Sequence, residues 1–145
     1  MKPTAKILFV DDHQDTLDLF ALVLSQQNYD VVTASTVAHA LNEAINRPFD
    51  LLVLDSNLED GSGVDLCRKI REIDKTTPIL FCSGLAFEKN KQEALSAGAQ
   101  AYLVKPVSIN GICDAVKELI STRRGTSPNR DGRGSGDLPV FASGV

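Results

Sequence analysis

Short apolar segments rich in Val, Ile, Leu and Phe recur along the chain and predict five β-strands. They lie at residues 5–10, 30–34, 50–55, 78–82 and 100–104. The middle of each segment is apolar without an alternation of polar and apolar positions. Strands that are covered on both faces have this composition, which is typical of a parallel sheet between two layers of helices.

Between these strands, apolar residues recur at helical spacing and predict helices with one face toward the sheet. The repeats are Leu17, Phe20, Ala21 and Leu24; Leu41, Ala44 and Ile45; Leu66, Ile70 and Ile73; and Ile112, Val116 and Ile120. A further helix is predicted to end just before Gly98, because glycine readily adopts the left-handed conformation of the residue that follows a helix. Five strands alternating with five helices favour an α/β fold with a doubly wound parallel sheet.

The predicted helix starts carry residues that favour them. Asp15 or Thr16 is the candidate N-cap of the first helix, and Ser35 or Thr36 that of the second. In doubly wound sheets, the functional crevice lies outside the carboxyl ends of the strands. Candidate functional residues are therefore sought where the strands end.

The character of the sequence changes after about residue 122. Residues 123–145 are rich in Gly, Ser and Arg and show no apolar periodicity, so we expect a flexible tail there. One domain at residues 1–122, without an output domain, is the expectation for a chain of 145 residues. An alternative role for the tail is docking through its apolar residues 138–141.

The overall composition argues against several classes of protein. No apolar run approaches the roughly 20 residues of a membrane span, and the start lacks a secretory signal, so a cytoplasmic location is expected. Three cysteines without CxxC spacing indicate neither a disulfide framework nor a zinc site. A net charge of -4 gives no general attraction to nucleic acids or anionic membranes.

Polar residues follow four of the predicted strands. Asp11 and Asp12 follow the first strand, Asp55 closes the third, Ser83 follows the fourth and Lys105 the fifth. Because the carboxyl ends of parallel strands share one edge, we expect these side chains to converge. Crowded carboxylates repel one another unless a cation neutralises them. Oxygen ligands favour Mg²⁺, with Ca²⁺ as an alternative although the EF-hand spacing is absent.

A carboxylate beside such an ion can attack phosphorus, since the metal and a lysine balance charge on the transferring oxygens. The motifs that follow the strands also occur in a known order. They are Asp11-Asp12, Asp55 after residues 51–54, Gly63, Ser83-Gly84, and residues 102–106. Together, over roughly residues 5–121, they resemble the receiver domains of bacterial two-component response regulators, in particular the stand-alone, chemotaxis-type ones.

The resemblance implies a flavodoxin-like sheet with strand order 2-1-3-4-5. It also implies that Asp55 accepts a phosphoryl group from the phosphohistidine of a sensor histidine kinase. Asp12 would then be a direct Mg²⁺ ligand and Asp11 a ligand mainly through water. The backbone carbonyl of Asn57 would complete the protein's share of the metal shell.

The resemblance assigns a switch to three further residues. Lys105 would pair with Asp55 before transfer and with a phosphoryl oxygen afterwards, and its bond to the following proline would be cis. The Ser83 hydroxyl would turn toward the phosphoryl group, and Tyr102 would rotate into the space that Ser83 vacates. The change would reach the face formed by the fourth helix, fifth strand and fifth helix, at about residues 88–121.

Some positions depart from the common receiver pattern or fall outside it. Glu59 stands where many receivers have proline, and Gly84 replaces a small methyl-bearing residue, which would loosen the following loop. Asn57 and Leu85 occupy positions that influence how long the aspartyl phosphate lasts. The two histidines, His13 and His39, are interpreted as surface residues near helix starts, without a partner cluster that would make them ligands.

The function implied is that of a single-domain response regulator, which catalyses only its own phosphorylation and dephosphorylation and is otherwise not an enzyme. The switched face would bind a target protein, or the phosphoryl group would pass to a histidine phosphotransfer protein. Homodimerisation through the same face is a further hypothesis. Alternatives are a receiver-fold scaffold without phosphorylation and a flavodoxin-like cofactor protein, although Asp11-Asp12 would repel a cofactor phosphate.

Overall fold

The computed structural model describes residues 2–123. Seven strands and five helices follow one another in this part of the chain. In order they are β1 (Ala5–Val10), α1 (Gln14–Gln26), β2 (Tyr29–Ala34), α2 (Val37–Asn46), β3 (Leu51–Leu54), β4 (Asn57–Leu58), β5 (Gly61–Ser62), α3 (Gly63–Ile73), β6 (Ile79–Ser83), α4 (Glu88–Ala97), β7 (Ala101–Val104) and α5 (Ile109–Arg123).

Five of the strands form one parallel sheet in the order β2-β1-β3-β6-β7. Numbered among themselves along the chain, these five strands have the order 2-1-3-4-5, so the predicted α/β fold and its strand order are confirmed. The remaining two, β4 and β5, form an antiparallel hairpin between β3 and α3. The hairpin was not predicted, because two-residue strands are too short to show a hydrophobic period.

Helices cover both faces of the sheet and create two apolar cores. Leu8 and Val10 of β1 pack in a core with residues of α2, α3 and α4. Ile7 and Phe9 of the same strand pack in the other core, with residues of α1 and α5. Both sets of side chains are buried. This two-sided burial explains why the strands are apolar throughout instead of alternating.

Most, but not all, of the predicted helix boundaries agree with the structure. The Thr36 hydroxyl accepts a hydrogen bond from the His39 amide at 3.0 Å and caps α2. Gly98 follows α4 with φ of 117°, in the left-handed region. The predicted cap of α1 at Asp15 or Thr16 is wrong, because α1 already begins after His13.

Two residues of the predicted apolar stripes lie outside the cores. Ile45 and Ile73 are 60% and 56% exposed, and each lies in the last turn of its helix. Together with Pro48 they line a groove of about 500 Å³. The helical period predicted their common face correctly but could not indicate where α2 and α3 extend past the core.

Two predictions about chain organisation fall partly outside the described residues. Within residues 2–123, the helices are all too short or too polar to cross a membrane. The predicted tail lies outside the described residues from position 124 onward. Of the cysteines, Cys67 and Cys82 are buried free thiols and Cys113 is partly buried.

Candidate functional site

Four strand ends bring the predicted polar residues to one edge of the sheet. The amide of Asp55 donates to the Val10 carbonyl at 2.9 Å, and the amide of Lys105 donates to the Ser83 carbonyl at 2.8 Å. The pairing of the strands thus continues into the site residues themselves. The hydrogen bonding of the sheet therefore positions the backbones of Asp55 and Lys105 just beyond the ends of their strands.

Three carboxylates and one imidazole form a compact cluster at this edge. One ligand atom from each of Asp11, Asp12, His13 and Asp55 lies within 4.8 Å of the other three. Asp11 and Asp55 are buried and Asp12 is partly exposed. So many negative charges at such separations are compatible with a bound cation.

Asp12, the second of the two adjacent aspartates, has a carboxylate oxygen that lacks a hydrogen-bond donor among the described residues. Asp12 Oδ1 is buried and accepts no hydrogen bond from residues 2–123. His13 Nδ1 lies 2.9 Å from it, but the two groups do not meet the geometry of a hydrogen bond. A buried carboxylate oxygen without a donor is costly, and a cation at this position would satisfy it.

Lys105 contacts two of the carboxylates. Its Nζ donates to Asp11 Oδ2 at 2.8 Å and lies 3.7 Å from Asp55 Oδ2. The nearer partner is thus Asp11 and not Asp55, with which the resemblance paired it. Burial acts to lower the pKa of Lys105, but the hydrogen bond to Asp11 and the charge of Asp55 outweigh it and raise that pKa. The Lys105–Pro106 peptide bond is cis, as expected.

Asp55 has an oriented carboxylate with altered acidity. Its Oδ1 accepts a hydrogen bond from the Ser56 amide at 2.8 Å, while Oδ2 faces Lys105. Burial raises the pKa of Asp55, and the charges of Asp11 and Asp12 act in the same direction against the lowering effect of Lys105. A carboxylate with a raised pKa is more basic, and therefore a better nucleophile, than an exposed one.

The two predicted switch residues hold the same loop residue. The Leu85 amide donates to Ser83 Oγ at 3.0 Å, and the Tyr102 hydroxyl donates to the Leu85 carbonyl at 2.6 Å. Tyr102 is fully buried and its ring stacks on Phe81, with centroids 5.9 Å apart. The loop between β6 and α4 is therefore connected to the site through Ser83 and to the sheet through Tyr102.

The segment after Asp55 turns back through a glycine. The Gly63 amide donates to the Ser56 carbonyl at 2.8 Å. A Cβ atom at Gly63 would overlap the Asp55 backbone carbonyl and lie 3.2 Å from Phe81 Cε2. Only glycine allows α3 to begin this close to the backbone of Asp55.

The β4–β5 hairpin, which lies between Asp55 and α3, carries Asn57 and is hydrogen-bonded to the start of α2. Asn57 lies in β4 with its side chain exposed, two residues after Asp55. At the turn, the Asp60 carboxylate accepts hydrogen bonds from the amides of Val37 and Ala38 at 2.6 and 3.1 Å. These bonds cap the start of α2 and fix the hairpin beside the site.

Two positions that the resemblance links to the lifetime of the aspartyl phosphate line one cavity. Asn57 and Leu85 both line a cavity of about 280 Å³ together with Ser56. No atom lies within 4 Å of where a Cβ on Gly84 would stand, so space does not demand glycine there. Glu59 belongs to the turn of the hairpin. Glu59 and Gly84, which depart from the receiver pattern, are not among the residues that line this cavity.

His13 is a site residue that the sequence interpretation missed. Its Nδ1 lies 3.2 Å from Asp11 Oδ1, and its amide donates to the same oxygen at 2.9 Å. The ring is 69% exposed, so the expected surface position is correct, but the expectation that it has no partner cluster is wrong. Its place directly after Asp11-Asp12 was the available signal. His39, in contrast, is exposed and lies 3.3 Å from Glu43.

Comparisons with known sequences agree with this geometry. The family model for the response regulator receiver domain matches residues 7–117. The transcriptional regulatory protein ResD of Bacillus subtilis is 33% identical over 122 residues, which cover 84% of this chain and 50% of ResD. The response regulator ArlR of Staphylococcus aureus is 31% identical over 115 residues, which cover 79% of this chain and 52% of ArlR. The chain thus spans about half the length of these curated relatives.

Solved structures of similar shape are receivers as well. A CheY-like response regulator receiver domain protein from Methanospirillum hungatei matches with a TM-score of 0.81 and 28% identity, covering 88% of this chain and 100% of its own. The chemotaxis response regulator CheY4 of Vibrio cholerae matches with a TM-score of 0.76 and 29% identity, covering 79% and 98%.

Proposed function

The chain belongs to the response regulator receiver family of two-component systems, and from that premise we propose that it accepts a phosphoryl group on Asp55. The observation that carries the proposal is the position of Asp55. Its carboxylate is buried at the carboxyl edge of the sheet, with one oxygen fixed by the Ser56 amide and the other 3.7 Å from Lys105 Nζ. A nucleophile and a charge-balancing cation thus stand side by side.

The transfer begins from the phosphohistidine of a sensor histidine kinase. An Asp55 oxygen forms a bond to phosphorus while the bond between phosphorus and the kinase imidazole nitrogen breaks. The electron pair of the broken bond stays on that nitrogen, which then binds a proton. Lys105 can move its ammonium group from Asp11 toward a phosphoryl oxygen, because both carboxylates already lie within its reach.

The carboxylate cluster fits Mg²⁺, which lies within the same proposal. Asp12, Asp55 and the backbone carbonyl of Asn57 would hold the ion, with Asp11 acting through water, and the unsatisfied Asp12 Oδ1 supports this arrangement. When bound, the ion would offset negative charge on the transferring oxygens. The protein's residues hold the carboxylates in place and position the Lys105 ammonium beside them.

Ser83 would couple phosphorylation of Asp55 to the loop before α4. To donate its hydroxyl proton to a phosphoryl oxygen, Ser83 would turn and give up the hydrogen bond from the Leu85 amide. The hydrogen bond from the Tyr102 hydroxyl to the Leu85 carbonyl would remain, and the loop before α4 would move. We propose that this alters the face formed by α4, β7 and α5, which binds a target protein or a second copy of the chain.

We expect the chain to catalyse only its own phosphorylation and dephosphorylation. Its partners are a sensor histidine kinase and a target or a histidine phosphotransfer protein. The proposed location is the cytoplasm.

Intact-mass measurement after incubation with acetyl phosphate and Mg²⁺ tests the proposal. The unaltered chain should gain the mass of one phosphoryl group, and Asp55→Asn should gain none. Asp114→Asn, which removes an exposed carboxylate from α5, is the matched control and should gain the group. No gain in the unaltered chain would instead favour the scaffold without phosphorylation.

A second experiment separates the two downstream roles. The purified phosphorylated chain is mixed with a histidine phosphotransfer protein, and the phosphoryl group on each protein is followed over time. Return transfer to histidine supports the relay. Retention on the receiver, with binding of a target protein that depends on phosphorylation, supports the binding role.

A further inference from the structure

We propose that His13 Nδ1 is a ligand of the cation site. Because of this nitrogen ligand, the site binds divalent transition ions such as Ni²⁺ or Co²⁺ more strongly than a site with carboxylate ligands alone would. The inference rests on the cation site of the proposed function and adds a nitrogen ligand to it. Imidazole is a preferred ligand of these ions, whereas Mg²⁺ is bound almost entirely through oxygen.

The spacing of the ligand atoms matches a six-coordinate ion. Neighbouring ligands on an octahedron with bonds of about 2.1 Å lie about 3.0 Å apart, and opposite ligands about 4.2 Å apart. His13 Nδ1 lies 2.9 Å from Asp12 Oδ1 and 3.2 Å from Asp11 Oδ1. All four ligand atoms of the cluster lie within 4.8 Å of one another. Asp12 Oδ1, His13 Nδ1 and an Asp55 oxygen are thus close enough to surround one ion, while Asp11, whose oxygens are already hydrogen-bonded, would act through water.

The hydrogen bonds of the cluster indicate which atoms are available. Both Asp11 oxygens are occupied: Oδ2 accepts from Lys105, and Oδ1 accepts from the His13 amide and, at 3.2 Å, from His13 Nδ1. Asp12 Oδ1 accepts no hydrogen bond from the described residues, although His13 Nδ1 is 2.9 Å away. Nδ1 donates to Asp11 Oδ1, so a cation held between Nδ1 and Asp12 Oδ1 would take the place of the Nδ1 proton.

The ring can take the required form without leaving its place. Coordination through Nδ1 puts the single ring proton on Nε2, and the ring is 69% exposed, so water can accept that proton. A divalent ion with the Asp12 and Asp55 carboxylates and a neutral imidazole carries no net charge. Its remaining positions stay open for water or phosphoryl oxygens.

Pulsed electron paramagnetic resonance with Mn²⁺ tests the ligation directly, because it detects a nitrogen nucleus bound to the ion. The chain has only two histidines, which makes a matched comparison simple. We expect an imidazole nitrogen signal in the unaltered chain and in His39→Asn, and its loss in His13→Asn. A signal that survives in His13→Asn, or an unaltered chain without one, would overturn the inference.

Calorimetric titration tests the selectivity. His13→Asn should bind Ni²⁺ about tenfold or more weakly than the unaltered chain and should bind Mg²⁺ equally well. Equal losses for both ions would contradict the inference, because they would indicate a general disturbance of the site.

The two proposals fail in different ways. If Mg²⁺ supports phosphorylation of Asp55 but no nitrogen signal appears, only the role of His13 is refuted. If Mn²⁺ shows the nitrogen signal but acetyl phosphate adds no mass, the ligation stands and the phosphorylation proposal falls.

Discussion

Replacing Asp55 by Asn should stabilise the fold in the absence of divalent cations. Asn is nearly isosteric, and its side-chain oxygen can still accept the hydrogen bond from the Ser56 amide. The substitution removes one of three carboxylates that crowd this edge of the sheet. A residue that is retained for its chemical role is expected to lower the stability of the fold in this way.

The magnitude follows from the charge separations. At an effective dielectric constant of about 20, Asp11 and Asp12, each no more than 4.8 Å away, repel Asp55 by about 3.5 kcal/mol each. Lys105, at 3.7 Å, attracts it by about 4.5 kcal/mol. The net repulsion is about 2.5 kcal/mol. Because solvent reaches this edge, we expect Asp55→Asn to gain about 1–2 kcal/mol in the free energy of unfolding.

Urea denaturation at neutral pH with a chelator measures this gain. Asp114→Asn removes the same charge from an exposed position on α5 and should change stability by less than about 0.5 kcal/mol. Mg²⁺ should narrow the gap between the unaltered chain and Asp55→Asn, since the native cluster binds the ion. An Asp55→Asn protein that is less stable than the unaltered chain would refute the repulsion argument.

The same gain should depend on pH. The raised pKa of Asp55 means that the folded chain binds more protons than the unfolded chain above pH 3.8. The stability of the unaltered chain therefore falls as the pH rises through the folded pKa. The advantage of Asp55→Asn should shrink as the pH is lowered through it, and an advantage that grows on acidification would contradict the assigned cause.

Three further substitutions test the packing and the hydrogen bonds around the site. Gly63→Ala should cost about 1–3 kcal/mol, because its Cβ would overlap the Asp55 carbonyl; the control Gly84→Ala, which meets no atom, should stay within about 0.5 kcal/mol in urea denaturation. Tyr102→Phe should lose about 1 kcal/mol with the hydrogen bond to the loop carbonyl, and an unchanged midpoint would show that water replaces it. Amide hydrogen bonds lower the pKa of Asp60. The stabilising effect of its carboxylate should therefore be present above pH 3.8 and lost as the pH falls through the folded pKa. A stability difference between the unaltered chain and Asp60→Asn that persists in acid would contradict this.

Much of the fold could be predicted because the period of the apolar residues records burial directly. The strand predicted at residues 5–10 has the bounds of β1, and Gly98 ends α4 in the predicted conformation. Each of these features depends on local sequence. The start of α1 could not be predicted in the same way, since His13 precedes that helix without a side-chain cap and its amide is bound by Asp11.

The composition of the site could be predicted, but its pairings could not. Parallel strands carry their carboxyl ends to one edge, so Asp11, Asp55 and Lys105 were expected to meet there, and they do. That Lys105 lies closer to Asp11 than to Asp55 depends on a difference of less than an ångström. The contact of His13 with the aspartates likewise depends on a side-chain rotamer, which a pattern of residue types does not specify.

The most direct test of the central claim is to locate the phosphoryl group in the chain. After incubation with acetyl phosphate and Mg²⁺, borohydride reduction converts an aspartyl phosphate to homoserine, and mass spectrometry of the peptides identifies the altered position. The account predicts homoserine at position 55 and at no other aspartate. Homoserine elsewhere, or unaltered Asp55 in every peptide, would contradict it.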